Sequence, residues 1–221
     1  MTGLNPTPAP PRVPTLSTAR IETLADGVFA IVMTLLVFDI RVPVQEAVDA
    51  VGLGPALLTL TPNLISYVIS FVILGVFWVG HHNQFFYIRR SDRTLLWINM
   101  LFLLFVALVP FSAGLLSRYG SDPVSVIVYN LNLIATGAVL YLHWTYAVRD
   151  GHLLGRELDP KVDQLVRRRI LTPPTFYLIA IVVSLFNVQI AILLDVLIPV
   201  VYVLPNSIDQ VFRARSEHNS Q

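Results

Sequence analysis

Asp26 stands in the opening turns of an apolar stretch that runs from Leu24 to Ile40, and Arg20 precedes it on the same helical segment. A charged group inside a membrane-grade helix is costly, so it faces a protein interior or an aqueous path and marks function. Downstream, Gly27, Ile31, Thr34 and Phe38 recur at spacings of four, three and four, which sets them along one stripe of a helix with Leu35 on its edge. Several copies of such a helix around an axis turn each stripe residue into a ring. Ile31 and Phe38 then form hydrophobic constrictions that gate by dewetting, with Thr34 a ring of hydroxyl oxygens between them. The same stripe also suits packing against neighbouring helices, where Gly and Thr are common in membranes. The residues alone leave both readings open.

Asp26 needs support. At about 1.5 Å per residue it lies about 9 Å beyond Arg20, the same depth by which Asn99 lies beyond Arg93. His81 and His82, at the inner end of the second apolar run, are expected to join them with Arg20, Trp78 and Trp97 in one buried polar cluster. Such a cluster is tolerated only when fully hydrogen-bonded, and it would pin the first helix to its own subunit. Proton sensing or relay by the histidines is the alternative use. Metal ligation is disfavoured, because adjacent His residues on a helix point about 100° apart and cannot readily share one ion.

The composition supplies the helices that these side chains require. Hydrophobic residues make up 55% of the chain and charged residues 13%, against roughly 25% charged in soluble domains. With a mean hydropathy of +0.68, this is an all-α integral membrane protein. A net charge of +1 offers no nucleic-acid-binding surface, and zero Cys excludes disulfides, thiolate zinc sites and thiol catalysis. No cofactor and no resident metal are expected.

Apolar runs near residues 21–40, 56–79, 94–116 and 124–148 each match a span of about 20 residues. The last run, 175–204, is too long for one upright helix and is interrupted by Asn187 and Gln189, so it divides into two short helices joined by a tight outer turn. Six spans follow. With the amino terminus inside, Arg41 and Arg118 fall outside, while Arg12, Arg20, Arg89, Arg90, Arg93, Arg149, Arg156, Lys161, Arg167, Arg168, Arg169, Arg213 and Arg215 fall on the cytoplasmic side. That asymmetry satisfies the positive-inside rule and requires the carboxyl terminus to be inside as well. One long tilted helix in place of the last pair would not.

Residues 1–16 are proline-rich and lack an apolar core, so they read as a disordered tail and not as a cleavable signal. Residues 17–206 form the six-helix domain, and 207–221 a cytoplasmic tail. The polar connection from Arg149 to Arg169 is expected to carry a short surface helix, with Arg167, Arg168 and Arg169 a topology signal in contact with anionic lipid. Asp39 is expected to pair with Arg41 at the outer interface, and Asp195 with Asn187 to face a subunit contact.

Arg20, three further residues, and Leu24, Ala25 and Asp26 resemble the Arg-x-x-x-Phe-Ser-Asp signature that opens the pore helix of the lysosomal potassium channel family, transmembrane protein 175, and its single-repeat bacterial relatives. The match departs at Leu24 and Ala25, which lose a ring and a hydroxyl. Phe77 to Asn83, Leu96 to Asn99, Val109-Pro110-Phe111 and the late Leu197-Ile198-Pro199 resemble the family's second, third and sixth spans, so the likeness covers about residues 17–206.

The resemblance implies a homo-oligomeric potassium channel, four copies around the first helix, with K+ as the permeant ion. Its hydrophobic filter ring falls on Ile31, its hydroxyl ring on Thr34, and further pore-lining positions on Leu35 and Phe38. The Thr-Val-Gly-Tyr-Gly carbonyl filter is absent, so selectivity would come from side chains on the first helix. No Arg-rich span like a voltage sensor is present, which implies a leak-type conductance. The single-repeat length and the use of Arg almost to the exclusion of Lys suggest a bacterial plasma membrane.

The residues fit two other classes less well. A hydrolase or metalloprotease would need His-Glu-x-x-His, Gly-x-Ser-x-Gly or a Cys, all absent, so no enzyme is expected. A secondary transporter or a proton-permeable cation pathway is the alternative. For the transporter, an internal repeat with helices broken near the midplane is the expected sign, of which Gly27 and Pro62 are the only hints.

Overall fold

The computed structural model describes residues 17–149, 151, 153–155 and 157–203. The two expected tails, and the cytoplasmic placements of Arg12, Arg156, Arg213 and Arg215, lie outside the described residues. The regular elements among the described residues are helices joined by short connections, with one isolated β-bridge between Ile88 and Leu154.

The first helix, α1 (Ala19–Leu35), tightens into a 3-10 turn at Leu36–Asp39 and ends where Ile40 becomes extended. Two short helices, α2 (Gln45–Val51) and α3 (Leu53–Leu58), meet at Gly52, whose φ of 86° a side chain would resist. Then α4 (Thr61–Phe85) begins with Pro62 in its first turn, where the missing N–H costs nothing.

The third apolar run is two helices, α5 (Arg93–Ala107) and α6 (Val109–Arg118), joined at Leu108 where Pro110 interrupts the ladder. Asp92 caps α5 by accepting from the Leu95 N–H at 2.8 Å, and the Tyr146 hydroxyl donates to its other oxygen at 2.7 Å. The fourth run is a single helix, α7 (Pro123–Arg149).

The last two helices correct one expectation and explain another. Residues 161–169 form no separate surface helix: they are the first half of α8 (Pro160–Ser184), which continues through Pro173 and Pro174 into the apolar segment. Asp159 caps it through the Lys161 N–H, and Asp163 pairs with Arg167 one turn on at 2.9 Å. Arg167 also reaches the hydroxyls of Tyr141 and Thr145, so it latches α8 to α7 and is not a lipid-facing charge. Gly137 makes room for the proline pair, since a Cβ there would lie 3.0 Å from Pro174 Cγ. The chain then breaks at residues 185–187 before α9 (Val188–Val203), and the Asn187 side-chain Oδ1 accepts from the Ile190 N–H at 3.0 Å. The polar residue that interrupts the run is the residue that starts the next helix.

Among the described residues, four stretches are long and apolar enough to cross a membrane: Ala19–Asp39, Leu53–Phe85, Arg93–Arg118 and Pro123–Arg149. The protein is therefore an all-helical integral membrane protein. Its core gathers Ala25, Phe29, Val32 and Leu36 of α1 against Ile73, Leu74 and Phe77 of α4 and Phe102 and Val106 of α5. The Phe29 and Phe102 rings lie 6.0 Å apart and tilted, fixing α1 against α5.

Candidate functional site

Helix α1 has two unlike faces. Ile21, Ala25, Phe29, Val32 and Leu36, spaced by four, four, three and four, are buried against the rest of the subunit. On the opposite side Gly27, Ile31, Thr34, Leu35 and Phe38 are all exposed, Ile31 at 61% and Phe38 at 72%. The stripe identified from spacing is thus left uncovered by the described residues. A Cβ built on Gly27 meets nothing within 4 Å, which agrees with an open surface at the stripe's inner end.

Thr34 sits between the two exposed apolar side chains with its hydroxyl committed. Its Oγ1–H donates to the Ile31 carbonyl at 2.7 Å, so only lone pairs remain to meet anything beyond the helix. A hydroxyl fixed in this way is an acceptor, suited to a cation and unsuited to a carboxylate.

The expected support cluster resolves into two separate pairs. In the first, the Trp78 indole N–H donates to Asp26 Oδ1 at 2.8 Å, and the Trp78 ring stacks on His82 at 5.7 Å between centroids. This pair ties α1 to α4 at the surface: Asp26, Trp78 and His82 are all exposed within the single chain. In the second, His81 Nε2 donates to Asn99 Oδ1 at 2.8 Å, and both are buried between α4 and α5. The 100° step between His81 and His82 sends them to these different partners.

Arg20 and Trp97 belong to neither pair. Arg20 is exposed and makes no hydrogen bond or ion pair among the described residues, and Trp97 is 67% exposed. A helical register gives depth but not rotation, and both side chains project away from the cluster.

The second pair extends further than the spacing foretold. His81 stacks flat on Phe102 at 5.2 Å and lies 5.7 Å from His143 of α7, ring to ring. Gln84 Nε2 donates to the Leu140 carbonyl at 3.1 Å, so its Oε1 faces His143 Nδ1 at 2.7 Å and accepts from it. His143 Nε2 is then a bare lone pair, buried and without a partner among the described residues. A polar string from Asn99 to Gln84 therefore crosses the apolar interior behind α1. His143 and Gln84 are polar residues inside apolar runs, the signal that could have marked them.

Two further expectations change. Asp39 forms no pair with Arg41: it turns inward, accepting from the Ser117 hydroxyl of α6 and from the Asn63 amide of α4 at 3.2 Å. Neutral donors on neighbouring helices serve it better than an exposed arginine, whose ion pair would be worth little. Asp195 faces no outer contact either. It is fully buried in the subunit and accepts from Asn130 Nδ2 at 3.0 Å, while Asn187 is exposed. Among the described residues, no group of three or more His, Cys, Asp or Glu side chains is arranged to hold a metal ion.

Comparison with known proteins agrees with this architecture. The profile of the family described as endosomal/lysosomal potassium channel TMEM175 matches residues 20–110, the stretch that carries α1, the Asp26–Trp78 pair and the His81–Asn99 pair. A potassium channel of Streptomyces collinus is 39% identical over 148 residues, covering 65% of this chain and 69% of that one. The endosomal/lysosomal proton channel TMEM175 of Gallus gallus is 37% identical over 110 residues, covering 47% of this chain but only 22% of the bird protein. The crystal structure of a lysosomal potassium-selective channel TMEM175 homologue from Chamaesiphon minutus superposes with a TM-score of 0.76 at 32% identity, over 85% of this chain and 96% of that one. On sequence and fold together, the chain belongs to the TMEM175 family.

Proposed function

We propose that this protein is a potassium-selective, leak-type channel of a bacterial plasma membrane, formed by four copies around α1, each crossing the membrane six times with both termini cytoplasmic. The observation that carries the reading is the exposed face of α1. A helix whose buried face already anchors it to α4 and α5 still presents Ile31, Thr34, Leu35 and Phe38 outward. Brought together around an axis, Ile31 and Phe38 make rings that an ion crosses only by shedding water, and Thr34 supplies fixed acceptor oxygens between them. Potassium holds its water less tightly than sodium, so a narrow, weakly polar passage favours it. The uncovered stripe supports pore lining over packing within the subunit.

The six-span topology is supported by the break at residues 185–187, which leaves α9 as a separate apolar helix, and by the distribution of arginine. A second reading, proton conduction, is favoured by the name of the vertebrate relative. One experiment separates them. Protein reconstituted in K+-loaded vesicles is expected to pass K+ down its gradient with no added co-substrate; flux that appears only with a proton gradient, or only with a second solute, would support proton permeation or coupled transport instead.

Thr34→Val tests the hydroxyl ring at nearly constant side-chain shape. Removing the acceptors is expected to lower K+ conductance by about threefold to tenfold, worth roughly 1 kcal/mol per good hydrogen bond. The check is single-channel amplitude. An unaltered amplitude would mean that Thr34 faces protein or lipid.

A further inference from the structure

Phe38 ends the exposed stripe, and the next residue is a fixed carboxylate that the stripe does not account for. Asp39 is half-buried at the end of the 3-10 turn. Asn63 Nδ2 donates to both its backbone carbonyl, at 3.1 Å, and its Oδ2, at 3.2 Å, while the Ser117 hydroxyl donates to the same Oδ2. All three bonds are local to that one oxygen and the backbone. Among the described residues Oδ1 has no hydrogen-bond partner, and it is not one of the enclosed polar atoms. Oδ1 lies beside Gly114 of α6, where a Cβ would meet it at 3.5 Å, an ordinary contact distance.

The donors that hold Asp39 are neutral, so they orient its charge without cancelling it. Arg41 and Arg118, the cations nearest in sequence to Asp39 and Ser117, form no ion pair among the described residues. The carboxylate borders a cleft of about 200 Å³ lined also by Leu35, Phe38, Asn63, Ser66 and Tyr67. At about 30 Å³ per water, that space holds a small cation with several of its waters.

We infer that Asp39 is a cation-collecting site at the outer mouth of the pathway, holding a hydrated monovalent cation beside Phe38 before it enters the narrow stripe. The inference rests on the channel reading above. A fixed, uncompensated charge raises the local concentration of its counter-ions and does so most when little salt is present to screen it. Asp39 therefore sets how fast ions arrive without setting which ion is preferred.

The chain contains no cysteine, so Asp39→Cys creates a lone thiol whose charge can be chosen by reagent. Wild type and Asp39→Cys are compared in planar bilayers at low and high K+. The variant is expected to lose about half or more of the conductance at about 10 mM salt and almost none at about 1 M, where the screening length falls to about 3 Å. A membrane-impermeant anionic thiosulfonate added to the outer side should restore the low-salt conductance, and a cationic one should lower it further. A purely structural role for Asp39 predicts the same effect from both reagents, or a loss at every salt concentration, and either result overturns the inference. If Asp39→Cys does not assemble, Asp39→Asn keeps the shape and gives the same salt comparison, with unchanged low-salt conductance the overturning result. Absence of K+ current in the wild type would instead remove the channel reading itself.

Discussion

Replacing Ile31 with Asn is expected to cost the channel on the order of tenfold in potassium-over-sodium selectivity, equivalent to about 1.4 kcal/mol between the two ions. Ile31 is exposed on α1, one turn before Thr34, and makes no part of the packed core. A ring of isoleucines forces an ion to part with water, which penalises sodium more than potassium. An amide wets the constriction and offers oxygen in place of the lost water, so both ions pass with less difference. Because the buried face of α1 is untouched, expression and thermal stability should stay near wild type. The measurement is the permeability ratio from reversal potentials of variant and wild type under the same ionic gradient. An unchanged ratio would place the filter elsewhere.

The largest effect on stability is expected at Asn130. Its amide spends both hydrogens, one on the Val126 carbonyl at 3.0 Å and one on Asp195 Oδ2 at 3.0 Å. Asp195 is fully buried, and its Oδ1 has no partner among the described residues. Asn130→Leu removes the donor and strands the carboxyl in an apolar interior, at a cost of about 1–3 kcal/mol. Replacing both members, Asn130→Leu with Asp195→Leu, leaves nothing polar to satisfy and should recover most of that loss. Melting temperatures of the three variants in detergent test the coupling. A double variant as unstable as the single one would show that α7 and α9 are held together by shape and not by this pair.

Much of α1 was legible in the chain because helical periodicity sorts its faces. The alternation that exposes Ile31, Thr34 and Phe38 is the same one that buries Ala25, Phe29 and Val32, and a period of 3.6 reads both at once. The late break was legible too, since Asn187 is costly inside an apolar run and useful as a helix start. What escaped was rotation between helices. Depth along an axis placed Asp26 and Asn99 at one level, with Arg20 and Trp97 expected to join them, yet only contact between α1, α4 and α5 decides which of them meet. Asp26 met Trp78, and Asn99 met His81.

The long-range partners were harder. Asp39 lies beside Arg41 in sequence but bonds to Asn63 and Ser117, brought to it by the packing of α4 and α6. His143 and Gln84 meet only because α7 crosses behind α4. Pro173 and Pro174 would ordinarily break a helix, yet they lie in the middle of α8, accommodated by Gly137 opposite. In each case a local rule gave way to a neighbour that the linear pattern does not name.

The claim that α1 lines a potassium pathway is tested most directly by the reversal potential of purified protein in a planar bilayer with potassium on one side and sodium on the other. The account predicts a current that reverses near the potassium equilibrium potential and needs no second substrate. A current reversing near zero, or no current alongside substrate-dependent uptake in vesicles, would contradict it.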